Sequence, residues 1–151
     1  MTTKEYFEQA LTLNKRINSK LDHLSTLREM TTKASITLSD MPRSSSRNMC
    51  QMQDIISKIV DLENEINGDI DRFVDMKRAY MRIIGEIRNP VFQLVMEQRY
   101  LCCRTWEKIS EELGYDLRWI HRLHGRALQE AEAVLKQKLT IQDHYKPPYP
   151  M

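Results

Sequence analysis

Arginines stand at 118, 122 and 126, four residues apart, so a helix running through them carries three guanidinium groups near one face. A guanidinium is a planar fork of five donors that keeps its charge, and it matches the edge of a guanine or a pair of phosphate oxygens. His121 lies within the same run, and no acidic residue stands between Leu117 and Gln129. The chemistry on offer is recognition of an anionic, hydrogen-bonding surface. The duller alternative is a solvated cationic face compensated by Glu111, Glu112, Glu130 and Glu132, which lie close in sequence.

Bond-making chemistry finds no footing. There is no glycine-rich phosphate loop, no nucleophile elbow, and no carboxylate pair in an apolar setting that would tune a pKa. His121 and His124 are three apart, but the adjacent Cys102 and Cys103 lack the spacing of a zinc site and no further ligand pair accompanies them. No enzyme, no metal and no cofactor are expected.

The elements that must position the arginines are legible from Thr105 to Leu128, TWEKISEELGYDLRWIHRLHGRAL. Thr105 is an N-cap type, and Trp106, Ile109 and Leu113 form the inner face of a two-turn helix. Gly114 follows where the chain must turn through the left-handed region. Asp116 is placed to cap a second helix whose inner face is Ile120, Leu123, Ala127 and Leu128. Arg118, Trp119, His121, Arg122 and Arg126 are left to point elsewhere. Two short helices joined by a tight turn, the second basic on its outer face, suit a DNA major groove. Arg104, Thr105 and Lys108, at the start of the first helix, and Arg126 on the second, are candidates for phosphate contact. Trp106 reads as core, whereas Trp119 is divided between core and a contact with the DNA backbone. Gly125 weakens the second helix and suggests close approach of another backbone.

The stretch from Trp106 to Leu128 resembles region four of bacterial primary sigma factors, which reads the promoter −35 element. Trp106, Ile109, Gly114 or its neighbour, Ile120, Leu123, Ala127 and Leu128 fall without a gap on that family's apolar and turn positions, and Leu94 with Arg99-Tyr100 resembles its first helix. A chain of this length with a helical N-terminal half is similar to small phage and prophage regulators of Gram-positive bacteria that carry such a module, some of them late-gene activators. The resemblance implies that Leu117, Arg118, His121 and Arg122 face the bases. It also implies a second kind of partner, RNA polymerase. The sequence departs from the family at Leu117, where primary sigma factors carry a basic residue, and at Arg118, where they carry an acidic one, so −35 specificity does not follow. Leu117 is suited instead to a thymine methyl group.

Upstream, Tyr6, Ala10, Leu13, Ile17, Leu21, Leu24 and Leu27 recur every three or four residues and predict a first helix from Thr3 to about Met30. Residues 31–48, rich in Ser and Thr and holding Pro42, predict a mobile linker. Met52, Ile59, Ile66, Phe73, Tyr80 and Ile87 then recur at a strict seven-residue interval, with Ile55, Leu62, Met76 and Ile83 three positions on and Ile56, Ile70 and Ile84 four positions on. Such a seam wants a partner helix, supplied by the first helix of the same chain or by a second copy in a homo-oligomer. Gly68 permits a bend in this long helix, and Asp69 and Lys77 sit near the seam. Asn89-Pro90 marks the next break, after which helices are expected from Val91 to about Leu101, Trp106 to Leu113, and Leu117 to about Lys138.

With only four glycines among 151 residues and stretches dominated by good helix formers, the fold class is all-α: an N-terminal helical hairpin or coiled coil (residues 1–88), then a three-helix helix-turn-helix module (89–138) and a surface or disordered tail (139–151). Lys and Arg number 23 against 21 Asp and Glu, a formal charge of +2, so DNA binding must come from a local surface. Three cysteines, Cys50, Cys102 and Cys103, make a disulfide framework improbable. The start MTTKEYFEQA lacks a signal-peptide pattern and no apolar run approaches a membrane span, so a soluble cytoplasmic protein without membrane contact is expected.

Overall fold

A computed structural model describes residues 1–40 and 45–144, with side chains described over 1–34 and 49–140. The described residues are helical throughout their regular structure: α1 (Thr3–Asp40), α2 (Ser45–Gly85), α3 (Pro90–Met96), a π-helical turn (Glu97–Leu101), α4 (Trp106–Leu113) and α5 (Leu117–His144). No helix among them is long and apolar enough to cross a membrane.

A capping box opens α1: the Thr2 hydroxyl accepts from the Glu5 amide at 3.2 Å while the Glu5 carboxylate accepts from the Thr2 amide at 2.8 Å. The helix continues to Asp40, ten residues into the segment whose composition predicts a linker. Thr31 and Thr32 are absorbed because their hydroxyls donate to the carbonyls of Leu27 and Arg28, both at 3.1 Å, one turn back. Neither Gly nor Pro interrupts until Pro42, and Ser and Thr cost a helix only tenths of a kcal/mol each, roughly. Since α2 begins at Ser45, only residues 41–44 of the expected linker, including Pro42, lie outside the described residues. Likewise α5 runs to His144, past the expected end near Lys138, and residues 145–151 of the expected tail lie outside the described residues.

The chain divides into two compact units, one of Leu13–Val74 and the other of Met1–Thr12 with the chain from Asp75 onward. The sequence-based boundary at residue 88 falls inside the second of these.

In the Leu13–Val74 unit, Leu24 and Leu27 of α1 form a buried cluster with Leu62 and Ile66 of α2, and Ile59 packs against it. Lys20 bonds Asp69 at 2.6 Å and Arg28 bonds Glu63 at 2.8 Å, so partners descend along α2 as they ascend along α1, and the two segments run antiparallel. Ile66 of the heptad seam therefore meets α1 of the same chain, Met52 and Phe73 are half-buried, and Tyr80 and Ile87 are buried in the other unit. Asp69 is buried within this seam, and the Lys20 ammonium followed by the Arg72 guanidinium holds its carboxyl below the usual range despite burial. A carboxylate placed so favours this register, because a slip would take it from Lys20 of α1 and leave it with Arg72 of its own helix. A Cβ at Gly68 would meet nothing within 4 Å.

In the other unit, Phe7 and Ala10 of α1 are fully buried, as are Tyr80 and Ile84 of α2, Val95 and Met96 of α3, Tyr100, Ile109 of α4, and Ile120, Ala127 and Ala131 of α5, each at most 1% exposed. The Phe7 ring lies 4.8 Å from that of Tyr80 and 5.2 Å from that of Tyr100, and the Tyr80 hydroxyl donates to the Tyr6 carbonyl. After α2 the Gln93 side-chain amide donates to the Ile87 carbonyl at 2.6 Å and the Gly85 carbonyl at 3.3 Å, satisfying acceptors that a helix end leaves open. Asn89 caps α3 by accepting from the Val91 amide at 2.9 Å, with Pro90 at the first helical position, as the Asn-Pro pair predicts.

Candidate nucleic-acid interface

Local signals fix the start of the interface. Thr105 is extended and its hydroxyl accepts from the Lys108 amide at 3.3 Å; Gly114 closes α4 in the left-handed region at φ 69°, its amide donating to the Ser110 carbonyl at 3.0 Å. The Ser110 hydroxyl donates to the Tyr115 carbonyl and pins the turn. The first bond of α5 runs from the Ile120 amide to the Asp116 carbonyl at 2.9 Å. Ile109, Ile120 and Leu123 then form a buried cluster with Val95, against which Val91, Phe92, Trp106 and Leu113 pack. Trp106 thus belongs to the core side, whereas Trp119 is exposed with the Arg126 guanidinium 5.8 Å from its ring centroid.

Burying Ile120, Leu123 and Ala127 turns the opposite face of α5 outward. Leu117, Arg118, His121, Arg122 and Arg126 are all exposed. Three of the four acidic residues nearby in sequence are engaged elsewhere, Glu112 with Arg104, Glu111 with Lys108 at 4.0 Å and Glu132 with Lys136 at 3.1 Å, while the fourth, Glu130, is half-buried. Among the described residues no ion pair involves Arg118 or Arg122, so the charge-compensated alternative loses Glu111, Glu112 and Glu132 as partners for these two. Of the candidate phosphate contacts, Thr105 and Lys108 are exposed beside the start of α4, while Arg104 is half-buried and its guanidinium is taken by Glu112. Gly125 is exposed, and among the described residues a Cβ there would meet nothing within 4 Å, so none of them makes the close backbone approach that the sequence suggests.

Beneath this surface lies a polar and aromatic layer that periodicity does not reveal. The π-helical turn inserts an extra residue into the end of the α3 segment, with the Cys102 amide reaching back to the Glu97 carbonyl at 3.0 Å. It leaves Tyr100 buried and Arg99 stacked 4.5 Å over the Trp106 ring, donating to the Arg104 carbonyl at 2.8 Å. Cys103 follows in the left-handed region at φ 54°, and burial pushes its thiol up.

His124 completes the layer. It is buried, its Nε2 lies 2.7 Å from the Tyr100 hydroxyl, and its ring is 4.5 Å from that of Trp106. Burial, reinforced by Lys4, Arg99 and His121, pushes its pKa from 6.5 to about 4. The unfolded chain therefore takes up a proton near pH 6.5 that the folded chain refuses until about pH 4. Stability from neutral His124 is complete above that upper value and is lost as pH falls through the window, by on the order of 3 kcal/mol in total. Urea denaturation between pH 7 and 4 is expected to show this decline, and the His124→Gln variant to flatten it. An unfolding free energy that stays level in the parent across the window contradicts the burial of His124.

The chain matches no family model, no curated protein and no solved structure.

Proposed function

We propose that this protein is a DNA-binding regulator of transcription, in which paired N-terminal helices support a three-helix helix-turn-helix over residues 89–138. The observation that carries the reading is the outward face of α5 just past the Gly114 turn, where Arg118 and Arg122 are exposed and without an ion pair among the described residues. An unpaired guanidinium keeps all its donors for a ligand, and a single helix is what a major groove admits. Leu117, Arg118, His121 and Arg122 face bases in this arrangement, while Thr105, Lys108 and Arg126 contact phosphates. Arg104 joins them only by giving up Glu112. The resemblance to sigma region four supports the same placement and the assignment to transcription, including late-gene activation in a phage setting.

Fluorescence anisotropy with random-sequence duplexes tests the reading. Affinity is expected to fall steeply as salt rises from about 50 to about 200 mM, because each neutralised phosphate releases a counterion. Absence of binding at the lower salt, together with capture of RNA polymerase in the presence of nuclease, would move the same surface to a protein partner.

A further inference from the structure

Helix α2 has a second apolar face that its pairing with α1 leaves uncovered. Ile56, Val60, Ile70 and Val74 are 46, 48, 40 and 41% exposed, all within the Leu13–Val74 unit. Together with Glu63 and Asn67 they fall at 56, 60, 63, 67, 70 and 74, alternating steps of four and three. That alternation keeps one narrow stripe in line along a helix, and it is the spacing of a coiled-coil seam. It is displaced around the helix from the seam at Ile59, Leu62 and Ile66, which α1 occupies. Singly scattered exposed aliphatics need no account, but these four β-branched side chains form two apolar pairs in line, one on either side of Glu63 and Asn67.

We infer that this outer stripe of α2 is a homodimer interface, occupied by the same stripe of a second copy running antiparallel about a two-fold axis near position 65. The choice of occupant follows from self-complementarity. Antiparallel pairing sets Ile56 against Val74 of the second copy, Val60 against its Ile70, and Glu63 against its Asn67, each contact occurring twice as a two-fold axis requires. The central pairs then match a carboxylate acceptor with an amide donor, and the flanking pairs match aliphatic with aliphatic. Parallel pairing sets Glu63 against Glu63, two like charges in a largely apolar setting, and so selects against itself. Glu63 is held at the stripe's edge by Arg28 at 2.8 Å, which fixes the carboxylate for such a contact. The dimer is independent of whether α5 reads DNA, and of the stripe from which sequence alone suggests self-association it uses only Ile56 and Ile70, the edge that α1 leaves exposed.

Sedimentation equilibrium of the full chain is expected to give a dimer, and Val60→Glu combined with Ile70→Glu to weaken it by at least about a hundredfold, since each copy would bury two unpaired charges. Because both positions are exposed in the single chain, circular dichroism is expected to be unchanged. Orientation is read by mixing chains carrying Ile56→Cys with chains carrying Val74→Cys under oxidation and mapping the linked peptides by mass spectrometry. Disulfides between the two kinds of chain support the interface. Preferential linkage of Ile56→Cys chains to one another overturns the antiparallel register, and a parent chain that stays monomeric at millimolar concentration overturns the dimer and leaves the stripe to a different protein.

Discussion

Replacing Phe7 by alanine is expected to destabilise the unit that contains the candidate interface by about 3 to 5 kcal/mol. The ring is fully buried, with the rings of Tyr6, Tyr80 and Tyr100 at centroid distances of 5.3, 4.8 and 5.2 Å. Truncation removes the transfer free energy of a phenyl group, leaves a cavity that two buried tyrosines tied by hydrogen bonds cannot refill, and forfeits ring–ring contacts, one edge-on and two tilted, of roughly 0.5 to 1.5 kcal/mol each. Both tyrosines are anchored at their hydroxyls, Tyr80 to the Tyr6 carbonyl and Tyr100 to His124, so neither can move inward without breaking a buried bond. Trp106 and Trp119 lie in the same unit, and their fluorescence during urea unfolding reports on it directly. Phe7→Leu, which retains most of the volume, is expected to lose far less. An alanine variant within about 0.5 kcal/mol of the parent, the range of ordinary surface substitutions, would mean that the start of α1 is not part of this core.

That core shows where sequence reasoning stops. The bounds of α4 and the start of α5 are written in residues that act on their own neighbours: the Thr105 hydroxyl on the Lys108 amide, Gly114 through its own φ. The heptad seam is legible because one period runs unbroken from Met52 to Ile87. Phe7 is different: Tyr6 satisfies the spacing of the α1 stripe equally well, and only the arrival of Tyr80 and Tyr100 from distant parts of the chain decides which ring is buried. His124 and Asp69 fail the pattern for a related reason, since their burial depends on partners 24 and 49 residues away, Tyr100 and Lys20. Over residues 31–40 the expected linker gives way to helix, where Thr31 and Thr32 turn their hydroxyls onto the helix that contains them. At the interface, the sequence lists the arginines and the glutamates but not their pairing. Arg104 and Arg122 look alike as letters, and only the structure sets one against Glu112 and the other toward solvent.

This difference between arginines sets the largest expected functional effect. Combined Arg118→Ala and Arg122→Ala is expected to weaken binding to a selected DNA site by about 2 to 6 kcal/mol, taking roughly 1 to 3 for each guanidinium that reads a base. Even the lower figure is about thirtyfold in dissociation constant. Folding is expected to be untouched, since both side chains are exposed and neither joins an ion pair among the described residues. Lys108→Ala is expected to behave differently, weakening all sequences alike and lowering the salt slope by about one, as loss of a phosphate contact does. Arg122→Lys separates charge from geometry: it keeps the cation but not the fork, so it should hold random-sequence affinity while losing preference for the selected site. Comparative titrations of these variants against selected and random duplexes decide the matter. If the double alanine variant binds the selected site within threefold of the parent, about 0.7 kcal/mol, the first turns of α5 do not read bases.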